Sequence, residues 1–247
     1  MIAEGSGPPV LLLHGSGPGT TAAAWRPLID ALAPRFRVLA PDLLGFGSSP
    51  RPSGSLRAAW TEQALSLMSS FESFAVVGNS AGGAVALSVA CARPRAITHV
   101  VGVGSMGLGM PLPDGLDALW GYAPSLDAAG SLNELIAPAT ASPAAAAARY
   151  EATLAQPWYG ELFPAPRQRW VDDLSLSLEE LASVVAPVLL IHGSRDRIVP
   201  PRESFLGLLD ALPDVRGHVF GGAGHATPLE RTAEFNRLVT SFLENHR

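Results

Sequence analysis

Short apolar runs, each ending in glycine or proline, recur along the chain and alternate with stretches whose apolar positions fall at helical spacing. The first run, Val10 to Leu13, is wholly apolar, as a strand covered on both faces requires, and it empties into His14-Gly-Ser-Gly-Pro-Gly19. Ala23 to Leu32 sets Trp25, Leu28, Ile29 and Leu32 along a helix, and Arg37 to Ala40 reads as the next strand. A turn region at 50–54 precedes a predicted helix over Leu56 to Glu72, a strand over Phe74 to Val77, and a run of small and apolar residues at helical spacing to Ala90. Ile97 to Val103 is another buried strand. From Gly104 to about Leu174 the pattern changes: Gly, Pro, Ala and aromatic residues dominate, no strand-like run of branched residues occurs, and Ala144 to Ala148 adds helix propensity. Alternation resumes with a strand over Val185 to Ile191, a helix over Pro201 to Leu212, a strand over Gly217 to Phe220, and a closing helix from Pro228 to about Asn245.

Strands alternating with helices predict an α/β fold, a mostly parallel sheet with helices on both faces. The change of character divides it into a core domain made of 1–104 and 175–247, with 105–174 as a helical lid. The lid's aromatic residues, Trp120, Tyr122, Tyr150, Trp158, Tyr159, Phe163 and Trp170, can line an apolar pocket as well as pack on one another. The length, 247 residues with 47% hydrophobic, suits one such fold with a sizeable core. A net charge of -5 with no basic block argues against a nucleic-acid partner. Neither a signal sequence nor a membrane-length apolar stretch is present, and the single cysteine, Cys91, lies in an apolar helical run as a buried structural thiol would. These features fit the reducing cytoplasm.

Chemistry concentrates at Gly78-Asn-Ser-Ala-Gly82, where a strand turns sharply into a helix. That context makes the G-x-S-x-G pattern a nucleophile elbow, with Ser80 in strained backbone geometry and its hydroxyl exposed. A serine needs a base in hydrogen-bond reach and a carboxylate to orient that base. His225 follows the last strand and Asp196 the one before it, so both belong to the carboxyl edge of the sheet, beside Ser80. His14 and His192, each in a His-Gly pair at a strand end, read as structural; His99 begins a strand, and His218 and His246 have no comparable loop setting. Asp42, ahead of a glycine-rich turn, reads as a turn-holding residue and stands in reserve with Asp214. The backbone amides of Ser16 and Ala81 are the natural pair of oxyanion donors. No metal cluster or dinucleotide fingerprint occurs, so no cofactor is implied.

Over nearly its full length the chain resembles the α/β-hydrolases, with the chain order Ser80, Asp196, His225. More narrowly, His14-Gly-Ser-Gly-Pro-Gly19, Gly78-Asn-Ser-Ala-Gly-Gly83, Gly115-Leu-Asp-Ala-Leu-Trp-Gly-Tyr122 and Pro166-Arg-Gln-Arg-Trp-Val171 resemble the meta-cleavage product hydrolases. The resemblance implies hydrolysis of a carbon-carbon bond in a vinylogous diketone acid made by catechol ring fission, through His-assisted tautomerisation and then serine-dependent cleavage. It also implies a lid Arg for the carboxylate of a small-molecule substrate; Arg149 matches best, with Arg167 and Arg169 as competitors. Gly15, Gly17, Asn79 and Trp120 are the further substrate-binding candidates. Three departures remove bulk or polarity near the site: Ala24 where the family has Asn, Ala226 where it has Trp, and Ala81 where Phe or Met is usual. A carboxylesterase or lactonase would need the same triad without the carboxylate clamp, and a non-catalytic ligand-binding homologue is a further reading. Ser80 at the elbow disfavours the aspartate-nucleophile relatives. Finally, relatives carry an N-terminal β-hairpin of which at most Met1 to Glu4 remains, a truncation that would leave the 37–40 strand at or near an exposed edge, to be covered by a second copy of the chain or left trimmed.

Overall fold

The computed structural model describes residues 1–156 and 158–245; His246 lies outside them. Seven strands form one sheet in the order β1-β3-β2-β4-β5-β6-β7. They are β1 (Ile2–Glu4), β2 (Pro9–Leu13), β3 (Arg37–Ala40), β4 (Phe74–Asn79), β5 (Ile97–Val103), β6 (Val188–Gly193) and β7 (Val215–Phe220). All neighbours pair parallel except β1 and β3. The helices are α1 (Arg26–Leu32), α2 (Leu56–Leu67), α3 (Ala81–Ala92), α4 (Asp114–Trp120), α5 (Leu126–Ile136), α6 (Pro143–Leu154), α7 (Tyr159–Leu162), α8 (Gln168–Asp173), α9 (Leu178–Ala182), α10 (Phe205–Ala211), α11 (Thr227–Glu230) and α12 (Thr232–Glu244).

The unbroken apolar strands are explained by burial on both sides. Leu11, Leu13 and Val76 face a core shared with α2 and α3, while Val10, Leu12 and Val77 face the opposite core, against α1 and α12. Helix α3 is buried along Ala81 to Ala90, so its small, apolar composition reflects a helix enclosed on all sides. Helices α4 to α8 fill the chain between β5 and α9, which is where branched, strand-like runs disappear from the sequence. Strand order reverses between β2 and β4, and in such sheets the loops leaving the two diverging strands flank a ligand crevice. Here those loops are the glycine loop beginning at His14 and the elbow at Ser80.

Several boundaries differ from the sequence expectation, each for a local reason. Strand β3 is not an edge: β1 pairs with it antiparallel, Ile2 opposite Ala40 and Glu4 opposite Val38. Arg26 holds β1 in place through both carboxylate oxygens of Glu4, at 2.8 Å each. Helix α2 stops at Leu67, ahead of Ser69 and Ser70, whose hydroxyls favour turns over helix. The helix expected from Pro201 begins only at Phe205, because Ser204 is non-helical and its hydroxyl donates to Ser105 O at 2.5 Å. The closing helix breaks at Arg231, φ -134°, into α11 and α12. Among the described residues no helix is long and apolar enough to cross a membrane.

Candidate active site

The turn between β4 and α3 shows why its glycines are needed. A Cβ on Gly78 would lie 2.0 Å from Gly82 O, and one on Gly82 would lie 2.4 Å from Leu13 O, so strand and helix approach to backbone contact. Ser80 sits between them at φ 55°, the one non-glycine residue with positive φ among the described residues. Such a conformation costs on the order of 1–3 kcal/mol and persists only where the surroundings impose it. They do so through Ser80 N donating to Val103 O at 2.8 Å and Ser80 O accepting from Met106 N at 3.1 Å.

Asp196 follows β6 and His225 follows β7, as read from the sequence, and His225 Nδ1 meets Asp196 Oδ2 at 2.7 Å. The carboxylate's other oxygen accepts the amides of Ile198 and Val199, both at 2.9 Å. Burial alone would raise the Asp196 pKa, but the charge available on His225 and the hydrogen bonds from His192 and His225 more than offset it, and the carboxyl is held well below its usual range. An ionised Asp196 accepts only, so Nδ1 carries the proton and Nε2 is the basic nitrogen of His225. Ser80 and His225 both line a cavity of about 520 Å³ at the carboxyl edge of the sheet.

That cavity also takes in Gly15, Ser16, Gly17, Asn79 and Arg149. Gly15 allows the glycine loop to close on the elbow: a Cβ there would stand 3.1 Å from both Ser80 Cβ and Asn79 Oδ1. Asn79 turns its amide to Val103 O, 2.9 Å away. Arg149, on α6, donates through Nε to Asn133 Oδ1 and through Nη1 to Pro18 O. Burial lowers its pKa, against the pull of Tyr159 and Tyr122, and among the described residues no carboxylate pairs with it. The competing arginines point elsewhere. Arg167 pairs with Asp117 at 3.1 Å, and Arg169 is exposed, over the Trp170 ring.

Two expectations need correction. Trp120 does not line the cavity: it is buried, stacked on Phe163 with ring centres 4.8 Å apart, and donates Nε1–H to Ser16 Oγ at 2.9 Å. Ala81 is fully buried and outside the cavity lining, so its small side chain does not widen the cavity, whereas Ala24 and Ala226 do line it. Amide Ala81 N opens α3 and has no carbonyl four residues back within that helix.

The reserve residues have other work. Asp42 does not hold its own turn through its carboxylate: Oδ1 accepts Ala22 N at 2.7 Å, tying down the chain after the glycine loop, while Asp214 precedes β7 and therefore lies at the amino edge, away from Ser80. His14 is buried, contacts Gly15 O through Nδ1 at 2.8 Å and accepts Leu43 N through Nε2 at 3.0 Å; burial pushes its pKa down to about 4. His192 Nε2 lies 2.8 Å from Val199 O and 3.2 Å from Asp196 Oδ2, beneath the triad. Cys91 is half-buried and burial raises its pKa, in keeping with a structural thiol.

Sequence reasoning missed the residues that hold the loops. Glu230 accepts Gly224 N and Ala139 N, His225 N and Ala226 N both donate to Ile136 O, and Gln156 bridges Gly19 N and Thr20 O. Glu and Gln positions of this kind look like ordinary surface residues in a sequence, and most of their partners, Ala139, Gly19 and Thr20, are far away in it.

The family model described as alpha/beta hydrolase fold matches residues 8–232. The chain is 40% identical to the 2-hydroxymuconate semialdehyde hydrolase of Pseudomonas sp. (strain CF600) over 97% of its own length and 88% of that protein. It is 39% identical to a 2-hydroxy-6-oxo-2,4-heptadienoate hydrolase of Pseudomonas putida, over 97% of this chain and 90% of the other. Among solved structures, a meta-cleavage product hydrolase from Pseudomonas fluorescens IP01 superposes with a TM-score of 0.94 at 37% identity, covering 98% of this chain and 92% of that one.

Proposed function

The chain belongs to the α/β-hydrolase fold family, and from that premise we propose that it is a serine-dependent hydrolase of the meta-cleavage product type, cleaving a carbon-carbon bond in a small keto-acid. The observation that carries this reading is that Ser80, His225 and Arg149 all open onto one cavity, in which Arg149 has no carboxylate partner among the described residues. An arginine so placed suits a substrate carboxylate through paired, charge-assisted hydrogen bonds. Helices α4 to α8 act as the lid that brings Arg149 over the core's nucleophile.

The reaction follows from the groups present. With its carboxylate on Arg149, the dienol substrate loses its hydroxyl proton to His225 Nε2 and regains a proton at carbon, giving the ketone form. Ser80 Oγ then attacks the distal ketone carbonyl while His225 takes the hydroxyl proton, Asp196 stabilising the imidazolium. The amides of Ser16 and Ala81 receive the developing oxyanion, each such donor worth about 3 kcal/mol. Breaking the carbon-carbon bond leaves its electron pair on the carboxylate-bearing fragment as a delocalised dienolate, which is reprotonated. Water, activated by His225, then releases the acyl group from Ser80 as an acid.

Absorbance tests the reading directly. A yellow dienol acid of the ring-fission type should be bleached by the protein with release of two acid fragments, and Ser80→Ala should abolish release of the fragments, followed by chromatography, while leaving the circular dichroism spectrum intact. Turnover of a p-nitrophenyl ester without any turnover of the dienol acid would move the protein to the carboxylesterases.

A further inference from the structure

The contacts around Ser16 carry an inference about how the oxyanion donor is held; it rests on the reading of the Ser16 amide just given. Ser16 is buried and gripped on three sides. Behind it, His14 Nδ1 holds Gly15 O at 2.8 Å, its Nε2 being occupied by Leu43 N. The 15–16 peptide is trans, so fixing the direction of Gly15 C=O fixes the opposite direction of Ser16 N–H. From the helical segment, Trp120 Nε1–H donates to Ser16 Oγ at 2.9 Å. Tyr159, on α7, places its single hydroxyl proton between Leu119 O at 2.9 Å and Ser16 O at 3.3 Å. Both aromatic residues are themselves immobilised: Trp120 stacks on Phe163 at an interplanar angle of 7°, and Tyr159 packs edge-on against Phe46 and Phe163.

We propose that Trp120, assisted by Tyr159, is a positioning residue that reaches from the helical segment to Ser16 Oγ and keeps the Ser16 amide aimed at the oxyanion. Trp120 is outside the cavity lining and does not touch substrate; it acts through Ser16 alone. The oxyanion hole is thus assembled from the core loop and the lid together, and an amide free to swing would lose part of a contribution that depends on preorganisation.

The test is a double-mutant cycle on kcat. Trp120→Phe keeps an aromatic ring on Phe163 and removes the N–H; Ser16→Ala keeps the amide and removes the acceptor. Each should lower kcat about tenfold, a fraction of the 100- to 1,000-fold loss typical when an oxyanion donor is removed outright. KM should stay within about twofold, since the hole serves the transition state. Because both substitutions break one bond, the double variant should be no slower than either single one. Losses that multiply, an unchanged kcat in Ser16→Ala, or a change confined to KM would each overturn the proposal. If Trp120→Phe does not fold, Ser16→Ala decides alone, since it deletes one hydroxyl. The cycle is run on the dienol acid and on p-nitrophenyl acetate, whose carbonyl uses the same hole. Ester turnover without dienol turnover in the parent protein would sink the carbon-carbon reading and still leave the clamp readable on the ester.

Discussion

Replacing Arg149 with Gln separates binding of the carboxylate from catalysis at the carbonyl. Of the five N–H donors of a guanidinium, two are committed here, Nε to Asn133 and Nη1 to Pro18 O, which leaves three for a ligand. A hydrogen bond to a charged group in a partly buried site contributes about 1.5–3 kcal/mol, so loss of the clamp corresponds to roughly a 10- to 150-fold fall in kcat/KM for the dienol acid. Most of it should sit in KM, because the carboxylate is the same distance from the reacting carbonyl in ground and transition states. The substitution also replaces the charge-assisted bond to Pro18 O, two residues from Ser16, with at best a neutral one from the Gln amide, a difference of about 1 kcal/mol. An ester without a carboxylate should therefore slow only by about two- to tenfold. Arg149→Lys, which restores the charge without the planar fork, should recover part of the dienol activity. The assay is initial-rate absorbance on both substrates for the three proteins. Equal losses on acid and ester, or none on the acid, would refute the clamp.

Two further predictions concern stability. Ser80→Gly should abolish activity yet raise the melting temperature above that of Ser80→Ala by about 2–4 °C, because glycine accepts φ 55° without the roughly 1 kcal/mol of strain an L side chain carries there; calorimetry of both variants checks it. His14, whose folded-state pKa is depressed from 6.5 to about 4, contributes stability that is fully present above pH 6.5 and lost as pH falls to about 4, where the unfolded chain binds a proton that the folded one does not. Stability should drop by roughly 3 kcal/mol across that window, and urea unfolding at pH 7 and pH 4.5 should show a fall that His14→Gln lacks.

The placement of the proposed triad was legible because its members sit where strand ends and glycine turns force them: Ser80 by backbone crowding, Asp196 and His225 by the loops after β6 and β7. The central parallel strands β2, β4 and β6 were legible because two-sided burial leaves no room for polar residues in runs such as Val10 to Leu13, whereas the half-exposed edge strand β7 showed only part of itself, at 217–220. Strand β1 carries no period of its own, and only the family resemblance pointed to a strand within Met1 to Glu4; its cover of β3 was not legible, since it is held by an Arg26–Glu4 pair 22 positions apart. The role of Trp120 was misread for a similar reason. An aromatic residue in a helical insertion is equally suited to lining a cavity or bracing a loop, and only its partner 104 positions away, Ser16, decides. Helix ends drifted where one side chain intervenes, as Ser204 does at α10.

The hydrogen bonds from His225 N and Ala226 N to Ile136 O, at the end of α5, bear on how this enzyme could be re-engineered. The proposed general base, His225, hangs by its main chain from the same insertion that supplies Arg149. Grafting a relative's insertion onto this core, in the hope of exchanging substrate preference like an interchangeable cartridge, would also re-hang the histidine. Chimeras should therefore vary in turnover as well as in selectivity unless the junctions preserve the 133–137 backbone.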